Sequence, residues 1–141
     1  MWNIFFLCQG TAERRGTISE LLQKAVDLAF SFYEKEAASN AELCHFERIR
    51  DVDSLKGIPE GQIKSGGYVI ESIEAALWCM LNTSSYEECV LKAVNLGHDT
   101  DTTAAIAGGL AGIYYGYDAI PEEWKHDIIR RQWMEDMCKA M

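Results

Sequence analysis

Asp99 and Asp101 stand one residue apart, with threonines at 100, 102 and 103, inside the stretch G-H-D-T-D-T-T that runs from Gly97 to Thr103. Two carboxylates and a hydroxyl within four residues make a hard-oxygen cluster suited to Mg²⁺, Mn²⁺ or Ca²⁺. Zinc is disfavoured, because neither a cysteine nor a pair of histidines lies nearby. An EF-hand fails: its loop needs Asp or Asn at the fifth position, Gly at the sixth and Glu at the twelfth, where this chain has Thr103, Ala104 and Leu110. The same spacing also makes an ordinary helix cap, so a D-x-D-T cap on a buried helix stands beside the metal site as a second reading.

Either reading needs a helix that begins here. Residues Ala104 to Gly112 carry no charge, which predicts a loop turning into a helix, with Asp99 or Asp101 capping its N-terminus and the next turns buried. Ala104, Gly108 and Gly112 recur every four residues and lay near-bare backbone along one helix face, where another helix can approach closely. Glycine inside a helix costs roughly 0.5–1 kcal/mol against alanine, so packing or ligand access must compensate. Gly116 is the expected stop.

The remaining elements follow from periodicity and capping signals. Residues 1 to 9, with Trp2, Ile4, Phe5, Phe6 and Leu7, look like the end of a buried helix. Thr17 and Glu20 form a capping box for a helix carrying Leu21, Leu22, Ala25, Leu28, Ala29 and Phe32, which should fade near Ala38 to Asn40. Asn40 can cap a shorter helix with Leu43, Phe46 and Ile49 on one side. From Asp51 to Gly67 the periodicity lapses and glycines with Pro59 predict a long loop. A helix with Val69, Ile73, Ala76, Leu77 and Met80 comes next. Ser84 and Ser85, with Glu87 and Glu88 behind them, start another that turns Tyr86, Cys89, Val90, Ala93 and Val94 inward. Pro121 opens a final helix with Trp124, Ile128 and Met134 or Met137 toward the core. No strand, repeat or low-complexity tract is evident, and the expectation is one all-α helical bundle over residues 1–141.

The run G-H-D-T-D-T-T-A-A-I-A-G-G-L-A-G, from Gly97 to Gly112, resembles the C-terminal metal motif of the ADP-ribosylglycohydrolase family, which includes the dinitrogenase-reductase-activating glycohydrolases and the ADP-ribosyl-acceptor hydrolases. Upstream, S-G-G-Y-V-I-E-S-I-E-A-A-L-W at 65 to 78 looks like that family's preceding loop and helix; downstream, Y-Y-G-Y-D-A-I-P-E-E-W at 114 to 124 looks like its continuation. The likeness is strongest over residues 60–125. It implies an orthogonal helical domain that binds two Mg²⁺ ions, which hold the distal ribose of ADP-ribose and a water while the N- or O-glycosidic bond to a modified protein side chain, or to the hydroxyl of a small ADP-ribosyl substrate, is hydrolysed. Asp99, Asp101 and Thr102 would be metal ligands, with Mn²⁺ as a substitute for Mg²⁺. Ser65, Gly66, Gly67 and Tyr68 would face the ligand, although a glycine turn leading into a capped helix explains the same residues. His98 stands where the family often has glycine; it could bond ligand or metal water, or be a partly exposed histidine without a catalytic role. His45 and His126 have no evident partners and are expected to be structural or on the surface.

One departure from the family sets a limit. Its N-terminal half carries a Thr/Ser-Asp-Asp motif and an acidic residue that complete the metal site, and nothing here resembles them; Asp51 and Asp53 are the nearest acidic pair. Two six-coordinate Mg²⁺ ions want about twelve oxygen positions less any shared ones, far more than three side chains supply. The expected partners are therefore an ADP-ribosylated protein or ADP-ribose-type ligand and either a homo-oligomer or a complementary N-terminal chain, with the isolated chain inactive or weakly active. The alternative is a non-catalytic α-helical module binding metal, ADP-ribose or a partner chain.

Composition bounds these readings. The chain has 141 residues, 13 Lys and Arg against 22 Asp and Glu and a formal charge of −9, which disfavours nucleic acid and anionic membranes as partners. ADP-ribose, itself polyanionic, would need metal, backbone amides or local basic residues. Five cysteines, at 8, 44, 79, 89 and 138, make no C-x-x-C pair and predict a reduced, cytoplasmic protein. No apolar run approaches the ~20 residues needed to span a bilayer, and the N-terminus lacks the basic region and cleavage site of a signal peptide.

Overall fold

A computed structural model describes residues 16–35 and 41–140. Every regular element among them is helical: α1 (Ile18–Tyr33), a 3₁₀ helix at Leu43–Ile49, α2 (Val52–Lys56), a 3₁₀ turn at Glu60–Gln62, α3 (Val69–Leu81), α4 (Tyr86–Asn95), α5 (Thr100–Tyr115), a 3₁₀ turn at Tyr117–Ala119, α6 (Glu122–Asp127) and α7 (Arg131–Lys139). The all-α expectation is borne out. The expected buried helix at residues 1–9 lies outside the described residues, as does the Asn40 cap.

α3 is the centre of the fold. Every residue from Glu74 to Leu81 is buried, as expected of a helix that is packed on all sides. The indole of Trp78 donates to the Ile58 carbonyl at 2.9 Å, and the Lys92 ammonium lies 4.6 Å from its ring centre. α5 packs against α3 and α4. Its buried stripe is Thr103, Ala107 and the adjacent Leu110 and Ala111, which recur at three- to four-residue steps on one face. The small-residue face meets α4: a Cβ on Gly108 would come within 3.3 Å of the Tyr86 hydroxyl, and one on Gly112 within 3.8 Å of the Tyr86 ring. The close helix approach expected at that strip is made, at these two glycines, by this chain's own α4.

Capping decides where two helices start. Thr17 accepts from the Glu20 amide while the Glu20 carboxylate accepts from the Thr17 amide, the reciprocal box expected at the head of α1. Ser85 accepts from the Glu88 amide, and the Glu88 carboxylate reaches back to the amide and hydroxyl of Ser84.

Several inward faces differ from expectation. α1 buries Leu21, Leu22 and Ala29 as expected and adds Val26 and Phe30, whereas Leu28 and Phe32 are half exposed. Ala25, Leu28 and Phe32 continue an equally regular stripe from Leu21, so periodicity alone could not choose between adjacent faces; the packing of the Leu43–Ile49 turn and α2 on α1 did. Val69 and Val94 also face solvent, each at a helix end where the stripe runs out of neighbours. The short helix at Leu43–Ile49 is 3₁₀, consistent with the three-residue spacing of Leu43, Phe46 and Ile49. The long loop from Asp51 holds α2 and a 3₁₀ turn. Asp51 spends its carboxylate as the α2 cap, accepting from the Asp53 and Ser54 amides and the Ser54 hydroxyl, which lowers its pKa. The final helix is two: Arg130 adopts a left-handed conformation at φ +63° and breaks it. Ile128, Met134 and Met137 are consequently exposed rather than inward. Tyr117 donates to Glu135 at 2.6 Å and so ties the turn before α6 to α7, where Arg131 also bonds Glu135 at 2.6 Å.

Candidate functional site

Two loops meet at the head of α5. The first, residues 64–68, enters α3; the second, residues 96–99, leaves α4 and starts α5. Gly97 and His98 turn the second loop with consecutive positive φ values of +83° and +58°. Glycine takes that conformation freely; histidine does so at a cost, which explains why glycine suits position 98. The turn is tied to the first loop at Ser65. Its buried hydroxyl donates to the Gly97 carbonyl at 2.9 Å, with the Leu96 carbonyl at 3.4 Å, and its own carbonyl accepts the Asp99 amide at 3.0 Å.

Asp99 occupies the N-cap position of α5, but its carboxylate makes no capping bond. It lies instead over Gly67, where a Cβ would stand 3.2 Å from Asp99 Oδ2. A hydrogen bond with the Asp99 side chain, and then the amides of Thr102 and of Asp101 itself, hold the Asp101 carboxyl below its usual range. The two carboxyl groups are therefore neighbours at the head of α5. Thr102 is exposed beside them. Thr103, next in line, is fully buried, and its hydroxyl finds no hydrogen-bond partner among the described residues.

The first loop is held at its other end by Ser72, whose buried hydroxyl donates to the Gly66 carbonyl at 3.0 Å, with the Tyr68 carbonyl at 3.2 Å. Gly66 is bare because Glu71 needs the space: a Cβ there would lie 2.8 Å from Glu71 Oε2. Tyr68 is exposed, and so is His98. A cleft of about 580 Å³ opens beside the loop, lined by Ser65, Gly66 and His98 together with Lys64, Glu71 and Asn95. Lys64 and Glu71 pair across it at 3.6 Å. The sequence pattern singled out none of these last three, since a lone Lys, Glu or Asn at a helix end carries no spacing signal.

The expected site residues thus fall into two groups. Asp99, Asp101 and Thr102 gather at the head of α5, Gly67 lies against Asp99, and Ser65, Gly66 and His98 border the cleft. Two carboxylates and a free hydroxyl fit a hard divalent cation, which prefers oxygen donors, and the bare Gly67 leaves room beside them. Among the described residues no three His, Cys, Asp or Glu side chains converge on one point.

The sequence profile of the ADP-ribosylglycohydrolase family matches residues 4–141. The chain belongs to that family. It is 33% identical over 125 residues to the ADP-ribosylarginine hydrolase Tri1 of Pseudomonas putida (strain GB-1), covering 86% of this chain and 34% of that protein. The ADP-ribosyl-dinitrogen-reductase glycohydrolase of Rhodospirillum rubrum is 39% identical over 82 residues, 58% of this chain and 26% of that protein. Human ADP-ribosylhydrolase ARH3 is 33% identical over 75 residues, 45% of this chain and 21% of that protein. The chain spans about a third or less of the length of these relatives. Among the described residues no helix is long and apolar enough to cross a membrane.

Proposed function

We propose that the chain forms one wall of a Mg²⁺- or Mn²⁺-dependent centre that hydrolyses the glycosidic bond between ADP-ribose and a protein side chain. The observation that carries this reading is the Asp99 carboxylate, unspent on capping and lying over the bare Gly67 beside Asp101. Asp99, Asp101 and Thr102 are the ligands this chain offers. A divalent ion held there would orient the distal ribose and polarise the attacking water. Water adds to the anomeric carbon through an oxocarbenium-like state, and the departing side-chain atom takes a proton.

The backbone of Gly66 and Gly67 approaches the ligand without side chains in the way, and Lys64 supplies positive charge next to a polyanionic pyrophosphate. Three donors leave most of the coordination positions of two ions open, so a complementary helical polypeptide or a second copy supplies the rest, and the isolated chain is weakly active or inactive. Buried, unpaired thiols such as Cys79, whose pKa burial pushes up to about 12, suit a reduced, cytoplasmic setting. A non-catalytic module that binds metal or ADP-ribose would use the same ligands and differ only in turnover.

The test is Mn²⁺ binding to the full chain and to Asp101→Asn, followed by release of ADP-ribose from ADP-ribosylated arginine. Binding that disappears in the variant, with little turnover by the chain alone, is the expected result. No binding at millimolar Mn²⁺, or binding unchanged in Asp101→Asn, overturns the site. Robust turnover by the isolated chain overturns the need for a complementary polypeptide.

A further inference from the structure

Ser65 lies in the loop that family resemblance assigns to ligand contact, yet only 2% of it is exposed. Its hydroxyl is committed to the backbone of the opposite loop: it has one proton, and the Gly97 carbonyl at 2.9 Å and the Leu96 carbonyl at 3.4 Å share it. Its carbonyl is committed as well, accepting the Asp99 amide at 3.0 Å. A single residue therefore grips both sides of the Gly97–His98 turn.

That turn needs gripping. His98 is held at φ +58°, a conformation that non-glycine residues keep only when their surroundings over-determine it. The turn also sets the direction in which α5 begins and in which Asp99 points its carboxylate over Gly67. Rotating the peptide between Gly97 and His98 would release the Ser65 hydroxyl bond and swing Asp99 away from Gly67. Metal ligands hold their affinity when neighbouring hydrogen bonds fix their orientation, and loss of such partners typically weakens binding about 10–100-fold.

We propose that Ser65 is a positioning residue for the metal-binding loop: its hydroxyl and carbonyl together lock the Gly97–His98 turn and thereby aim Asp99 at the cation. This rests on the reading of Asp99 and Asp101 as cation ligands. Ser65 then acts through the second loop, and the ligand meets Gly66, Gly67 and Tyr68 instead.

The experiment compares the full chain with Ser65→Ala, Ser65→Cys and Thr83→Ala. Thr83 is the control, because its hydroxyl makes an equivalent bond to the Cys79 carbonyl at 2.7 Å, at the far end of α3. Mn²⁺ affinity is measured by the loss of the free-ion paramagnetic resonance signal, and exchange of the Asp99 amide by NMR without metal. Ser65→Ala is expected to weaken Mn²⁺ binding at least tenfold and to speed Asp99 exchange at least tenfold. Thr83→Ala should lower the melting temperature comparably and change neither quantity. Ser65→Cys keeps the shape with a weaker donor and should fall between; it decides the question in the same way if Ser65→Ala does not fold.

Wild-type affinity together with wild-type Asp99 exchange in the Ser65 variants overturns the proposal, and so does an equal loss of affinity in Thr83→Ala. Should the wild-type chain bind no Mn²⁺ that depends on Asp101, the metal reading fails, and Asp99 exchange alone judges the positioning role: faster exchange in Ser65→Ala upholds it, unchanged exchange overturns it.

Discussion

Gly108 of α5 lies directly beneath Tyr86 of α4: a methyl group on Gly108 would come within 3.3 Å of the tyrosine hydroxyl and 3.4 Å of Val90 Cγ2. A methyl group on the next residue, Gly109, would meet no neighbouring element within 4 Å among the described residues. One glycine is bare because a neighbour fills its space, while the other faces outward.

The two should respond oppositely to substitution. Gly108→Leu is expected to lower stability by about 2–3 kcal/mol, because it forces α4 and α5 apart. Gly109→Ala should raise it by about 0.5–1 kcal/mol, since it removes backbone freedom from the unfolded chain at no steric cost. Urea denaturation of both variants measures the contrast; a destabilised Gly109→Ala would show that this face is covered.

His98 tests the strained turn. The left-handed conformation costs a non-glycine residue about 1–2 kcal/mol, partly offset on replacement by glycine's greater freedom in the unfolded chain. His98→Gly is therefore expected to raise stability by about 0.5–1 kcal/mol, and the β-branched His98→Val to lower it by more than 1 kcal/mol, roughly. Thermal melts of the three proteins rank them; equal stability of His98→Val and wild type would contradict the turn geometry.

Glu74 is buried in α3 and pairs with Arg48 at 2.9 Å, although the arginine side chain is 48% exposed. Removing one partner of a buried pair usually costs about 3–5 kcal/mol, and water access through Arg48 reduces that to about 1–3 kcal/mol for Arg48→Met. Burial pushes the Glu74 carboxyl above its ordinary value of 4.5, and Arg48 pulls it back only in part. The folded chain therefore holds this proton to higher pH than the unfolded chain does. Stability from this group is greatest below 4.5 and falls as pH rises through the folded-state pKa. The stability of wild type minus that of Glu74→Gln should decline across this window, which urea denaturation at stepped pH follows; a difference that rises instead would reverse the sign of the shift.

Metal linkage gives a further readout of the α5 head. At 100 times its dissociation constant, Mn²⁺ should stabilise the chain by about 2.7 kcal/mol, a rise in melting temperature of a few degrees that EDTA reverses. Asp99→Asn should abolish the rise. A shift that persists in this variant would place the ion elsewhere.

Much was legible in sequence because it is local. The Thr17–Glu20 box, the Ser85 cap, the Gly116 stop and the uncharged helix after Asp99 depend on residues within a turn of each other, and the D-T-D-T motif carried the family with it. The sequence also placed Asp99, Asp101 and Thr102 together at one helix head, since three neighbouring residues cannot be far apart.

Tertiary structure alone decided the rest. α1 has two equally periodic apolar stripes, and only the elements packed on it select Val26 and Phe30 over Leu28 and Phe32. The left-handed Arg130 that splits the last helix has no glycine to announce it. Ser65 and Asp99 are 34 positions apart, so no spacing rule joins them; their bond exists because α3 and α5 pack side by side and bring the loops at their heads into contact. Hydrogen-bond partners across a fold are chosen by distance in space, which the order of residues in a chain does not encode at that range.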